Sequence, residues 1–153
     1  METIELKEII HKELMIVNST ARNKAEVLTE LGALLAEHHY ISDIEDFLAD
    51  VYLREAEGET GIGEGIAIPH GKSKAVQETT VAIATLKHSI EWETLDEKEV
   101  EVVILFAVKD SDANTTHILL LQKIAILLAN QRFIEKLHNV KSVAGLYQLI
   151  TEA

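Results

Sequence analysis

The most restrictive feature of this sequence is the run Val100-Glu101-Val102-Val103-Ile104-Leu105-Phe106-Ala107-Val108. Successive side chains of a strand point to opposite faces, so an apolar stretch without alternation must be buried on both. Such a run predicts a central strand with helices above and below it. Thr79–Leu86 reads as a second strand, 14–17 as a shorter one, and Trp92 and Leu95 are expected to pin the connection from His88 to Lys98 to the core. Helical spacing covers about 24–39, where Val27, Leu28, Leu31, Leu34 and Leu35 share one face and Asn23 stands at the cap position. Ser42 and Glu45 form a capping-box pattern before a helix with Ile44, Phe47, Leu48 and Val51 inward. Lys109–Asn114 reads as a loop. A long apolar helix is expected over 116–129, with Leu120, Leu121, Ile124, Leu127 and Leu128 inward, then shorter ones over Gln131–Leu137 and Ser142–Thr151. Strands interleaved with helices imply an α/β layered sandwich with a mixed sheet. The 153 residues, 47% of them hydrophobic, fit one domain, 1–153, with a substantial core.

The second informative stretch is Gly61-Ile62-Gly63-Glu64-Gly65-Ile66-Ala67-Ile68-Pro69-His70-Gly71-Lys72-Ser73, which contains the only proline. Ile66 and Ile68 read as a short buried strand that Pro69 should end, and proline holds Ile68 in extended angles. His70 then stands at the tip of a stiff strand, with Gly71 leaving the imidazole uncrowded. Two readings are open. The ring is a nucleophile or ligand, or Pro69-His70-Gly71 is a surface turn that happens to contain a histidine.

Arg54 and His117 are ambiguous in the same way. Arg54 falls in the last turn of its helix, where a cation is favoured by the dipole, and spacing alone prefers that reading. It also lies ten residues before Glu64, within reach of the glycine segment, and a guanidinium fork suits phosphate oxygens. His117 lies in the first turn of the long apolar helix, where an anion is stabilised, or it is a capping residue facing water. Glu64 alone reads as a solvent-facing turn residue. Nucleotide motifs fail: a P-loop ending at Gly71-Lys72-Ser73 and a dinucleotide fingerprint starting at Gly61 both need glycine at 66, where Ile66 stands. Glu64, His70 and His117 are three residues of metal-ligand type, which keeps a metal-dependent hydrolase as a rival.

The segment Glu59-Thr60-Gly61-Ile62-Gly63-Glu64-Gly65-Ile66-Ala67-Ile68-Pro69-His70-Gly71 closely resembles the active-site segment of the fructose/mannitol-type enzyme IIA domains of the bacterial phosphoenolpyruvate:sugar phosphotransferase system. The resemblance extends over nearly the whole chain. It implies that His70 is phosphorylated on the ring nitrogen farther from the backbone. It implies further that Arg54 and His117 hold the phosphoryl oxygens and that Glu64 orients the site. The implied partners are the phosphocarrier protein HPr as donor and a sugar-specific IIB component, with a cysteine acceptor, as recipient. The sugar would not touch this chain. A nitrogen-linked regulatory IIA protein, acting through its phosphorylation state, shares the same motif and is the alternative. The tract Glu55, Glu57, Glu59 departs from the pattern and is expected to add negative charge near the site.

Composition bears on partners and place. Lys and Arg total 14 against 26 Asp and Glu, a net charge of −12. That balance argues against nucleic-acid binding and suits docking on a basic protein face. There are no cysteines. No apolar run approaches the ~20 residues of a membrane span, and Met1–Lys7 lacks the features of a signal peptide. The expectation is a cytoplasmic phosphotransferase without cofactor or metal, whose partner components are separate chains.

Overall fold

The computed structural model describes residues 5–112 and 116–152. The elements in order are α1 (Leu6–Ile9), β1 (Ile10–Ser19), α2 (Lys24–Glu37), α3 (Ile44–Glu55), β2 (Gly61–Gly63), β3 (Ile66–Ala67), β4 (His70–Ser73), β5 (Thr80–Ile90), β6 (Val100–Lys109), a 3-10 turn (Asp110–Asp112), α4 (Thr116–Leu128), α5 (Gln131–His138) and α6 (Val143–Thr151). Six strands form one mixed sheet in the order β1-β5-β6-β3-β2, with β4 also paired to β6. β5 and β6 are antiparallel, whereas β1 runs parallel to β5 and both β3 and β4 run parallel to β6.

The double-sided burial expected of the apolar run is what β6 shows. Val103, Leu105 and Ala107 join Val27, Leu28, Leu31, Leu35, Phe47 and Val51 of α2 and α3 in one core. Val102, Ile104, Phe106 and Val108 join Leu120, Ile124, Phe133, Ile134, Leu146 and Ile150 of α4, α5 and α6 in the other. The molecule is therefore helix–sheet–helix in three layers, as the pattern of strands and helices implied.

Local chemistry sets the helix starts. Asn23 caps α2 by accepting from the Glu26 amide at 2.9 Å. The cap of α3 differs from expectation. Asp43, not Ser42, fills that position, its carboxylate accepting from the Asp46 amide at 2.9 Å. Ser42 is held elsewhere, its amide donating to the Ala75 carbonyl at 2.8 Å and its hydroxyl to the same oxygen at 3.3 Å. Ser42 thus ties the loop before α3 to the end of β4. Leu95 also departs from expectation: it is 71% exposed. Trp92 alone does the pinning, buried and donating its indole N–H to the Thr60 hydroxyl at 2.8 Å. In α4, Leu120 and Ile124 are buried as expected, and Leu121, Leu127 and Leu128 pack half-buried on the second core. Of the loop 109–114, residues 113 and 114 fall outside the described part.

Pro69 pauses its strand and does not end it. Ile66 faces Val102, Ala67 faces Val103, and His70 faces Phe106 at the same spacing along the chain. β3 and β4 are one line of chain in a single register on β6. Proline has no N–H to give, but its carbonyl still accepts from the Phe106 amide at 2.9 Å. His70 therefore opens a strand where the tip of one was expected.

Candidate functional site

His70 and Lys72 alternate along β4 with Gly71 and Ser73, which are buried. Gly71 has a different role from the one its sequence neighbours suggest. A Cβ at this position would lie 2.5 Å from Phe47 Cε1 and 2.7 Å from Val51 Cγ2. The missing side chain lets α3 lie directly on β4, and the last turn of α3 carries Arg54. Among the described residues β4 pairs only with β6, so the helices of both layers can meet at its open side. There α3 from one layer and the start of α4 from the other enclose a cleft of about 340 Å³. Its lining residues are Asp50, Leu53, Arg54, Glu57, His70, Lys72 and His117.

Three of the four residues singled out in the sequence are thus brought together. The His70 and His117 ring centroids are 5.2 Å apart and nearly edge to face, at 67°. Phe106, from the central strand, packs beneath both, 4.8 Å from His70 and 6.1 Å from His117. Arg54 stands at the end of α3 and also reaches the cleft. Its Nη1 donates to the Gly58 carbonyl at 3.4 Å, just past the helix end, while the side chain lines the cleft.

Glu64 is not in this group. It occupies the turn between β2 and β3 with a left-handed φ of 59°, and it does not line the cleft. Its amide donates to Asp96 Oδ2 at 3.1 Å, and its carbonyl lies 2.6 Å from His138 Nε2. The set Glu64, His70 and His117 is accordingly not assembled around one point in the cleft. The acidic tract is dispersed in the same way. Glu57 lines the cleft, Glu59 lines a separate depression beside Trp92, and Glu55 is buried in an ion pair with Lys24.

Lys72 is the site residue that the sequence reading passed over. Its signal was present: it stands two residues from His70 on the same strand, so the two share a face. Lys72 Nζ lies 4.0 Å from Asp110 Oδ1 and is more than half exposed.

Burial dominates the electrostatics. It lowers the His70 pKa from 6.5 to about 4, helped by His117 and Arg54 and opposed by the Ile68 backbone. That backbone favours the protonated ring, yet Nδ1 of His70 is buried without a partner in hydrogen-bond geometry. His117 is also shifted down, by burial first and then by Lys72, and its Nε2 is likewise buried and unpartnered. Both rings are neutral near pH 7. A neutral imidazole keeps a lone pair for attack, and the buried, unpartnered Nε2 of His117 marks a place where a ligand supplies a partner. A neutral nucleophile beside Arg54 and Lys72, walled by Phe106, is equipped to receive an anionic electrophile such as a phosphoryl group.

Comparison with known proteins identifies the family. The family model described as "Phosphoenolpyruvate-dependent sugar phosphotransferase system, EIIA 2" matches residues 8–153. The chain is 38% identical over 128 residues to the 2-O-alpha-mannosyl-D-glycerate-specific EIIABC component of the phosphotransferase system of Escherichia coli K12. That match covers 83% of this chain and 20% of the relative, so the chain spans about a fifth of that protein's length. Among solved structures, nitrogen regulatory protein IIA-Ntr of Neisseria meningitidis superposes with a TM-score of 0.85 at 26% identity, covering 94% of this chain and 97% of that one. Enzyme IIAMtl of Escherichia coli, solved in complex with phosphorylated enzyme IIBMtl, shares the fold with a TM-score of 0.77 at 23% identity, over 92% and 96% of the two chains. The chain belongs to the EIIA type 2 family of the phosphoenolpyruvate-dependent sugar phosphotransferase system.

Proposed function

We propose that this chain is a phosphoryl carrier that accepts phosphate on His70 from phospho-HPr and passes it to a sugar-specific IIB component. The observation that carries the reading is the neutral, half-enclosed His70 ring set against His117 in a cleft that Arg54 and Lys72 also line. In the forward step the free lone pair of Nε2 attacks phosphorus, an N–P bond forms, and the bond from phosphorus to the donor atom breaks with its electrons leaving on the donor. No proton has to be removed from the ring first. Arg54, Lys72 and His117 neutralise and position the phosphoryl oxygens, which is most of what this chemistry asks of a protein. Glu64 is assigned an indirect part, through the turn that leads into β3. Among the described residues no helix is long and apolar enough to cross a membrane, and a cytoplasmic site of action fits exchange with HPr.

The test is incubation with phosphoenolpyruvate, enzyme I and HPr, followed by mass measurement. The chain gains one acid-labile phosphoryl group, and His70→Ala does not. Failure of the wild-type chain to gain it overturns the reading.

A second reading, the nitrogen-linked regulator, is favoured by the match to IIA-Ntr over 97% of that chain. The two separate at the recipient. A carrier hands its phosphoryl group to a IIB cysteine, whereas a regulator keeps it and changes its binding to a target.

A further inference from the structure

The last turn of α4, the start of α5, and α6 enclose an open groove of about 570 Å³ that shares no lining residue with the His70 cleft. Leu127, Phe133 and Leu149 give it an apolar wall, and Ile126 stands at it 70% exposed. Arg132 and Lys136 line the same groove. They are four residues apart on α5, one turn above the other, where like charges repel. Arg132 also lies in the first turn of α5, the end of a helix dipole that disfavours a cation. Among the described residues neither has an ion-pair partner. In a chain of net charge −12, two cations without an ion-pair partner stand together on one largely apolar groove. Behind the wall lies an apolar crevice of about 10 Å³, too small for more than a single water, which Ile104, Ile124 and Ile150 bound together with Leu127 and Phe133.

We propose that this groove binds a small anionic amphiphile of the acyl carboxylate class. The head sits between Arg132 and Lys136, and the tail lies along Leu127, Phe133 and Leu149. Glu152, the one side-chain carboxylate among the described residues lining the groove, repels the head and directs it toward α5. The volume is within the range of sites for ligands of this size.

The test uses the full chain and dodecanoate below its micelle concentration, followed by calorimetry and by amide NMR shifts. Binding is expected with a Kd on the order of 100 μM, with shifts confined to α4, α5 and α6. The double variant Arg132→Ala/Lys136→Ala weakens binding by about fivefold. Gln148→Trp, which fills the groove from α6, weakens it further. Unchanged melting temperatures establish that both variants stay folded. Dodecyltrimethylammonium, with the same tail and the opposite head charge, binds more weakly than dodecanoate. Absence of dodecanoate binding, equal binding of the two amphiphiles, or undiminished binding in both variants overturns the proposal. Binding to phosphatidylglycerol vesicles without binding of free dodecanoate also overturns it, and assigns the groove to a membrane surface.

Discussion

The His70 and His117 rings meet nearly edge to face with centroids 5.2 Å apart, one carried by β4 and the other by the first turn of α4. Each ring is kept neutral, His70 in part by the field of His117. The pair is therefore unsuited to holding protons and well suited to an arriving anion, whose charge would reverse the local field.

The His70 shift makes a stability prediction. The folded pKa of about 4 lies below the ordinary 6.5, so between these values the unfolded chain binds a proton that the folded chain refuses. Stability then falls as pH drops through that window, by at most about 1.4 kcal/mol per pH unit. Compared with His70→Gln, the wild type should lose about 2 kcal/mol more between pH 7 and pH 4.5. Urea unfolding at a series of pH values measures the difference, and parallel curves would refute the assigned shift.

His117→Ala removes a neighbouring ring whose own protonation opposes that of His70. The His70 pKa should rise from about 4, as followed by imidazole NMR titration, and onward phosphoryl transfer should slow by about 100-fold. A large loss of melting temperature with normal transfer would instead make His117 a folding residue.

Lys72 acts on the partner ring. Because its charge lowers the His117 pKa, Lys72→Ala should raise that value in the same titration while leaving the fold intact. An unmoved His117 titration would remove Lys72 from the site.

Arg54→Lys retains the charge and loses the fork. Phosphoryl gain from phospho-HPr should slow by about tenfold. Wild-type rates would return Arg54 to the role of a helix-end cation.

Gly71→Ala tests the seating of α3. The added methyl meets Phe47 and Val51 inside contact distance, so α3 must move outward at a cost of about 1–3 kcal/mol. The same movement carries Arg54 away from His70. Melting temperature and transfer rate should fall together, and Phe47→Leu, which removes the ring edge, should recover part of both.

The layers were legible in the sequence because β6 is apolar on both faces and α2 carries a clear stripe with its Asn23 cap. His70, Arg54 and His117 were singled out by the resemblance; spacing alone left each with an ordinary reading, and the placement of all three on one cleft depends on α3, β4 and α4 meeting. What was missed depended on contacts between distant segments. Ser42 and Asp43 both qualify as caps, and only the hydrogen bonds of Ser42 to Ala75 decide between them. Leu95 is apolar yet exposed, since Trp92 already fills the available space against Thr60. Pro69 reads locally as a stop, but pairing of its neighbours with β6 carries the strand through. Glu64 adjoins His70 in sequence, and the turn that holds it is fastened to Asp96 and His138 instead.

The shared register of β3 and β4 on β6 has a consequence for how the chain tolerates change. Side chains in a strand alternate sides, so a shift by one residue exchanges which of them face each helical layer. Deleting a single residue between Ala67 and His70 would press the imidazole toward Phe47 and turn the bare α-carbon of Gly71 to the cleft. Length in this four-residue span then decides which layer His70 faces, and homologues or designs should vary its side chains while never altering its count.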